Sequence, residues 1–180
     1  TLAAVVGGVW YYFTPAFWEV GYMPKQPGGG FNHQIHAGKL GMDCRYCHAN
    51  VERSHEAMVP PTQTCMGCHA AVHPDSQRLA PVRESFASGE SVEWVRVHQL
   101  PDHVFFDHSV HLAAGVGCVS CHGRVDQMEV VQVDQPIGMG WCLDCHRDPG
   151  PNLRPRNEIT NMDWVPDENW VAHVDEVNPP

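Results

Sequence analysis

The stretch that decides the fold is FNHQIHAGKLGMDCRYCH, residues 31–48, which concentrates potential metal ligands in a short segment. The ligands are His33, His36, Cys44, Cys47 and His48. A closely related string, FFDHSVHLAAGVGCVSCH, occupies residues 105–122. A ligand-rich pattern that returns within one chain indicates an internal duplication built around a bound group.

All eight cysteines of the 180-residue chain fall into four Cys-x-x-Cys pairs, and a histidine directly follows each pair. C-x-x-C-H is the attachment motif of c-type haem. Positions i, i+3 and i+4 share one face of a helical turn, so two thiols can reach the haem vinyl groups while the histidine binds the iron. The sequence therefore predicts four covalently bound haem c groups. The predicted thioether residues are Cys44, Cys47, Cys65, Cys68, Cys118, Cys121, Cys142 and Cys145, and the proximal ligands are His48, His69, His122 and His146.

Zinc ribbons are the main alternative for these cysteines. Seventeen residues separate Cys47 from Cys65 and twenty separate Cys121 from Cys142, and both spacings fit two ribbons that use all eight thiols. Disulfides are a third interpretation. Neither alternative explains a histidine after all four pairs, nor the His-x-x-His ahead of each half, so haem is favoured.

The duplication predicts the remaining axial ligands. Each half, residues 31–69 and 106–146, has a His-x-x-His followed by two C-x-x-C-H motifs. Six-coordinate haems need a second axial ligand each, and the duplicated pairs provide four. We expect one histidine of each pair to bind a haem of its own half and the other a haem farther away, which would tie the halves together. The predicted distal ligands are His33, His36, His108 and His111.

Several other residues are weaker candidates as ligands or haem partners. The alternative distal ligands are His98, His103, Met58 and Met139. A Met/His haem has a higher potential than a bis-histidine haem, but gap-filling against porphyrin is the preferred role of both methionines. The remaining histidines, His55, His73 and His173, are interpreted as surface residues. The arginines considered for haem propionates or for a solvated surface role are Arg147, Arg154 and Arg156.

Composition predicts a mainly α-helical fold with much irregular loop. The chain has 15 prolines and 16 glycines and few periodic apolar runs, so we expect porphyrins to fill much of the core. A net charge of −10 argues against a nucleic-acid partner and is compatible with a basic protein partner. No catalytic constellation stands out. Electron transfer is therefore the predicted role, with a multihaem reductase of a small oxyanion, using one open haem position, as the alternative.

The chain divides into four predicted regions. Residues 1–18 carry no charge and have aromatic residues toward their end, so residues 1–20 are predicted to form a membrane anchor, in preference to a signal peptide or a buried helix. Residues 21–30 form a Pro/Gly-rich linker. A tetrahaem domain spans 31–150, and an acidic, irregular C-terminal arm spans 151–180. The two tryptophans of that arm suggest contact with another subunit.

With these motifs in place, the sequence resembles known cytochromes. The His-x-x-His and C-x-x-C-H order is similar to the cytochrome c3 and c7 class. The segments DCRYCHANVERSHEAMVPPTQTCMGCH, WVRVHQLPDHVFFDHSVH and MGWCLDCHR resemble the membrane-anchored multihaem subunit (ActA) of bacterial alternative complex III, over roughly residues 1–165. That family is usually described with five haems, whereas this chain has thiols for four.

The resemblance implies a place in a larger assembly. In that family, menaquinol is oxidised in polytopic quinone-binding subunits of the bacterial inner membrane. Electrons then pass through an iron–sulfur subunit and the haem chain on the periplasmic side to acceptors such as a monohaem cytochrome c. The resemblance thus implies an electron-transfer subunit that is not an enzyme by itself.

Overall fold

The computed structural model describes residues 1–13, 19–27 and 30–170 as short helices joined by irregular segments. A π-helix spans Gln34–Lys39, and one antiparallel bridge joins Val116 to Leu153. These described ranges contain no β-strand. The prediction of a mainly helical, loop-rich fold is confirmed. The α-helices are α1 (Leu2–Phe13), α2 (Cys44–Cys47), α3 (Thr62–His69), α4 (Ala80–Ser88), α5 (His108–Ala113), α6 (Cys118–His122) and α7 (Met139–Arg147).

The duplicated halves differ in the helix that carries the His-x-x-His. In the second half it is the α-helix α5, whereas in the first half most of it lies on the π-helix. The first half has one more residue between its second histidine and its first cysteine, because Cys44 is eight positions after His36 and Cys118 is seven after His111. A π-helix accommodates an extra residue in a helical turn. The π-helix therefore accommodates the additional residue between His36 and Cys44.

The two halves exchange equivalent backbone hydrogen bonds. The Gln34 amide donates to the Met128 carbonyl at 3.0 Å, and the Ser109 amide donates to the Ser54 carbonyl at 3.3 Å. Gln34 and Ser109 occupy matching positions directly after the first histidine of each pair. Each half therefore anchors the ligand helix of the other.

Protein side chains alone form a small core. The buried hydrophobic residues among the described ones are Leu112, Val133, Leu153 and Ile159, and no large side chain in these ranges is fully buried. The accessible surface is 12322 Å², compared with roughly 8,700 Å² expected for a folded monomer of this mass. The surplus surface fits the prediction that bound porphyrins complete the core.

The segment 150–170 packs against the first C-x-x-C-H motif of each half. These first motifs are Cys44–His48 and Cys118–His122, and the second motifs are Cys65–His69 and Cys142–His146. The Cys118 amide donates to the Ile159 carbonyl at 3.0 Å, and the Thr160 hydroxyl donates to Asp43 at 3.0 Å. The guanidinium of Arg154 lies 4.9 Å from the ring centre of Trp164. This part of the predicted C-terminal arm is thus attached to its own domain, and residues 171–180 lie outside the described residues.

The N-terminal regions are described in part. Helix α1 has exposed apolar side chains, and no helix within the described ranges is both long and apolar enough to cross a membrane. The predicted transmembrane helix over residues 1–20 is therefore not confirmed, and residues 14–18 lie outside the described residues. The linker is attached to the body through Gly21, whose amide donates to the Val133 carbonyl at 2.6 Å, and through Gln26, which pairs with the Val95 backbone.

Candidate haem-binding sites

Three pairs of histidine rings face each other at a separation that fits one iron atom. The ring centres are 6.1 Å apart for His36 and His69, 6.3 Å for His108 and His122, and 6.1 Å for His111 and His146. A metal–imidazole nitrogen bond is about 2 Å long, so two imidazoles on opposite sides of one metal have ring centres roughly 6 Å apart. Each pair combines a C-x-x-C-H histidine with a histidine of a His-x-x-His.

His33 and His48 are the candidates for a fourth pair. Burial, and then the charges of His48 and His36, lower the pKa of His33 to about 4. The Nδ1 atom of His33 is buried and has no hydrogen-bond partner. In the second half, His108 lies opposite His122 of the first motif and His111 lies opposite His146 of the second motif. In the first half, His36 likewise lies opposite His69 of the second motif. Because His33 and His48 are the equivalents of His108 and His122, the same arrangement predicts that they form the fourth pair.

The pairing differs from the expected crossing between halves. His108 and His111 of the second half and His36 of the first half each lie opposite a C-x-x-C-H histidine of their own half. The halves are connected instead by backbone hydrogen bonds and by the contact between their first motifs, described below.

Backbone carbonyls orient five of these eight rings. A neutral histidine that donates from Nδ1 to a carbonyl leaves the lone pair of Nε2 for a metal, and such partners fix the ring and its tautomer. Sequence reasoning missed these groups because a backbone oxygen has no residue signature. The Nδ1 partners are Asn32 O for His36 (2.9 Å), Met58 O for His48 (2.6 Å), Val72 O for His69 (2.9 Å), His55 O for His108 (2.7 Å) and Asp107 O for His111 (2.7 Å).

A phenylalanine supports each His-x-x-His. Phe31 contacts His33 edge to face at 4.7 Å and stacks on His36 at 4.3 Å. Phe106 repeats this arrangement in the second half, with ring centres 4.7 Å from His108 and 4.5 Å from His111. The repeated phenylalanine was visible in the sequence, but its role as a platform for both rings becomes clear only in the structure.

The cysteines lie on the four helices α2, α3, α6 and α7 and are all free thiols, which does not support the disulfide interpretation. In the described parts of the chain, no three His, Cys, Asp or Glu side chains converge as they would around a zinc ion. Burial, and then the neighbouring Cys145 and Cys142, raise the pKa of Cys121 to about 11. Burial, followed by nearby histidines, lowers the pKa of His122 to about 3, which keeps this ligand neutral. Neutral imidazole is the form that binds iron.

The alternative ligands are placed less favourably. His98 lies edge-on to His122 with ring centres 4.5 Å apart, too close for an iron between them, although its Nε2 is buried and unpartnered. Met58 is 52% exposed and its sulfur accepts from Asn50. Met139 is 72% exposed, and His103 is exposed. The other histidines agree with a surface role at His55 and His73, while His173 lies outside the described residues.

One of the three candidate arginines is suited to a buried acceptor. Arg154 is buried, donates to the Asn161 carbonyl at 2.9 Å and keeps its Nε without a partner. Burial lowers the pKa of Arg154. Arg147 is exposed and pairs with Asp144 at 3.1 Å, and Arg156 is exposed. Arg154 thus has a free donor for a bound anionic group such as a propionate.

Four attachment helices and facing imidazoles, in a chain with little core of its own, define the features of a multihaem c-type cytochrome. A relative supports this class. The chain is 36% identical over 124 residues to the multihaem cytochrome c subunit of menaquinone reductase from Nitratidesulfovibrio vulgaris (strain Hildenborough). The alignment covers 67% of this chain and 55% of the relative, so the chain spans about half of that protein's length. No family model matches the chain. The comparison supports a multihaem cytochrome c and does not specifically support alternative complex III.

Proposed function

We propose that the chain carries four haem c groups and relays electrons as a subunit of a quinone-linked membrane complex. The observation that carries this proposal is the set of facing imidazoles with ring centres 6.1 to 6.3 Å apart. The two imidazoles of each pair would hold a haem iron from both sides and would leave no coordination position for a substrate. The haem would then supply one-electron redox chemistry without binding or transforming a molecule.

The proposed electron source is menaquinol, and the proposed destination is a periplasmic acceptor. The name of the relative links a multihaem subunit to a menaquinone reductase, and the resemblance to alternative complex III links one to menaquinol oxidation. Quinone chemistry is common to both. The proposed partners are polytopic quinone-binding subunits, an iron–sulfur subunit and a monohaem cytochrome c.

The proposal includes membrane attachment through the N-terminal region, with the haem domain on the periplasmic side of the bacterial inner membrane. The supporting features are an uncharged sequence over residues 1–18 and exposed apolar side chains on α1, such as Leu2 (81%) and Val5 (62%). Replacing Val5 and Val6 by Asp should release the protein from isolated membranes. Unchanged membrane recovery would contradict this part of the proposal.

Spectroscopy of the purified holoprotein tests the relay function. We expect four haems per chain by mass spectrometry, low-spin spectra in both oxidation states, and no spectral change on adding carbon monoxide or nitrite to the reduced protein. A high-spin haem that binds either ligand would favour the alternative, a reductase of a small oxyanion. A preparation with zinc and no Soret band would contradict both functions.

The direction of electron flow is tested with the assembled complex. A menaquinol analogue should reduce the haems faster than the reduced haems transfer electrons to the corresponding quinone. The opposite ranking would assign the chain to quinone reduction, while leaving its role as an electron relay intact.

A further inference from the structure

The halves are related by a local two-fold axis. Gln34 bonds to Met128 of the second half, and the matching Ser109 bonds to Ser54 of the first half. The side chain of Gln34 also donates to the Gln127 carbonyl at 3.4 Å, and the His108 ring donates to the His55 carbonyl at 2.7 Å. Reciprocal contacts of equivalent residues are the signature of two-fold symmetry. Ser54 and Met128, the two acceptors, are themselves equivalent, because each lies ten positions after the first cysteine of its half.

The first motifs of the two halves meet at this axis. The adjacent residues Ile159 and Thr160 hold both motifs: the Cys118 amide donates to the Ile159 carbonyl at 3.0 Å, and the Thr160 hydroxyl donates at 3.0 Å to Asp43, the residue before Cys44. In agreement with this proximity, the charges of His48 and His33 help to lower the pKa of His122, after burial and the charges of His98 and His108. The segment 150–170 thus covers the junction of the two first motifs.

The second motif of each half lies next to its own first motif and on the outer side. In each half the second histidine of the His-x-x-His lies against the second motif, with ring centres 6.1 Å apart for His36 and His69 and for His111 and His146. In agreement with this, the pKa of Cys47 is raised by burial and then by Cys65, and the pKa of Cys121 by burial and then by Cys145 and Cys142. The outer motifs reach the surface, where Cys68 and His146 are exposed. Two-fold symmetry with the first motifs at the axis therefore places the second motifs at opposite ends.

We infer that the four haem sites form one line, in the spatial order Cys65/Cys68, Cys44/Cys47, Cys118/Cys121, Cys142/Cys145. This order differs from the order in the sequence and rests on the proposed function. Haems held at these motifs would supply one-electron redox chemistry, in which one iron would be oxidised from Fe(II) to Fe(III) as its neighbour was reduced from Fe(III) to Fe(II). The two second motifs would then be the points of exchange with a quinol-derived one-electron donor and a one-electron acceptor.

Matched substitutions at the two ends test the order. His36→Met and His111→Met each replace a distal imidazole at an outer site by a thioether, which raises the potential of that haem. The altered haem is then reduced earlier, and its extra negative charge lowers the apparent potential of nearby haems. Coulomb energy falls with distance and is screened, so adjacent sites respond most. Haem-methyl NMR during a redox titration of the full-length holoprotein follows each haem separately.

The order predicts a specific ranking. In His36→Met the haem at Cys44/Cys47 should shift several-fold more than the haem at Cys142/Cys145, and His111→Met should shift the Cys118/Cys121 haem most. A largest response at the opposite end in either variant would overturn the order.

The unmodified protein provides the same test if a variant does not fold. Its pairwise redox interactions should be large between the two first-motif haems and smallest between the two second-motif haems, and the reverse would overturn the order. Carbon monoxide binding by the unmodified protein would instead overturn the relay function, whatever the order of the haems.

Discussion

The two halves of the chain reach nearly the same ligand geometry through different local structures. The second histidine and its motif partner have ring centres 6.1 Å apart in both halves, and the supporting phenylalanine lies at similar distances. The first half nevertheless places most of its His-x-x-His on a π-helix and the second half on α5. The positions of the ligand rings are thus preserved, while the backbone between histidine and cysteine absorbs an extra residue.

The two motifs of the second half differ from each other in burial. The first motif of the second half is desolvated enough to lower the pKa of His122 to about 3 and raise that of Cys121 to about 11. The second motif of the same half ends in the exposed His146. Similar sequence motifs therefore differ in their access to solvent, and substitutions at a buried motif should have larger effects than those at an exposed motif.

The largest effect is expected from removing the thiols of a central site. The double change Cys118→Ser and Cys121→Ser should prevent recovery of a folded domain, because the core has few buried apolar side chains of its own. Cys142→Ser with Cys145→Ser, at the outer site, should remove one haem and leave a protease-resistant domain. Limited proteolysis and haem counting by mass spectrometry measure both. A stable domain without the central haem would contradict the idea that porphyrin completes the core.

A smaller effect is expected from opening one axial position in each half. His36→Ala and His111→Ala should each create one high-spin haem that binds carbon monoxide, with one equivalent per chain in a difference spectrum. His103→Ala, at an exposed histidine, is the matched control and should leave the spectrum unchanged. If His111→Ala stayed fully low-spin, His111 would not be an axial ligand.

Loss of either supporting phenylalanine should destabilise the folded protein without changing the axial ligands of the haems. Aromatic contacts of this kind contribute about 0.5–1.5 kcal/mol beyond the area they bury. Phe31→Leu and Phe106→Leu should therefore lower the free energy of unfolding by similar amounts, since their contacts are nearly identical. Denaturant titration followed by the Soret band measures both, and a large difference between the two would contradict the equivalence of the halves.

The smallest effect concerns the carboxylate that caps α2. Asp43 accepts from the Arg45 amide at 2.8 Å, and its replacement by Ala should cost about 1 kcal/mol, the usual value of a helix N-cap. The hydrogen bond from the Arg45 side chain is the main reason why the pKa of Asp43 is about 2. Because the folded pKa is depressed, this contribution is present above the ordinary Asp pKa and is lost as the pH falls toward 2.

The acid branch of a stability curve measures this effect. The difference between Asp43→Asn and the unmodified protein should shrink between pH 5 and 2, because the carboxylate being compared becomes protonated. The partly exposed ion pair makes the change small. A stability difference that grew as the pH fell would contradict a lowered pKa of Asp43 in the folded protein.

The helical placement of the C-x-x-C-H motifs and the general fold class could be predicted from the sequence because they depend on short spacings. Two thiols and a histidine at fixed intervals specify a helix turn that carries all three, as at Cys118, Cys121 and His122. The facing of His36 with His69 depends on how distant segments pack, and no local spacing encodes it. The attachment of segment 150–170 was missed for the same reason, because its contacts run through the Ile159 carbonyl and the buried Arg154.

The orienting carbonyls have a consequence for how such chains can vary. The oxygens that hold His48, His69 and His108 belong to the main chain of Met58, Val72 and His55. A substitution at these three positions changes the side chain and leaves the acceptor in place, provided that the loop keeps its path. The orientation of these three rings is therefore set by the path of the backbone and not by the identity of the side chains at the acceptor positions.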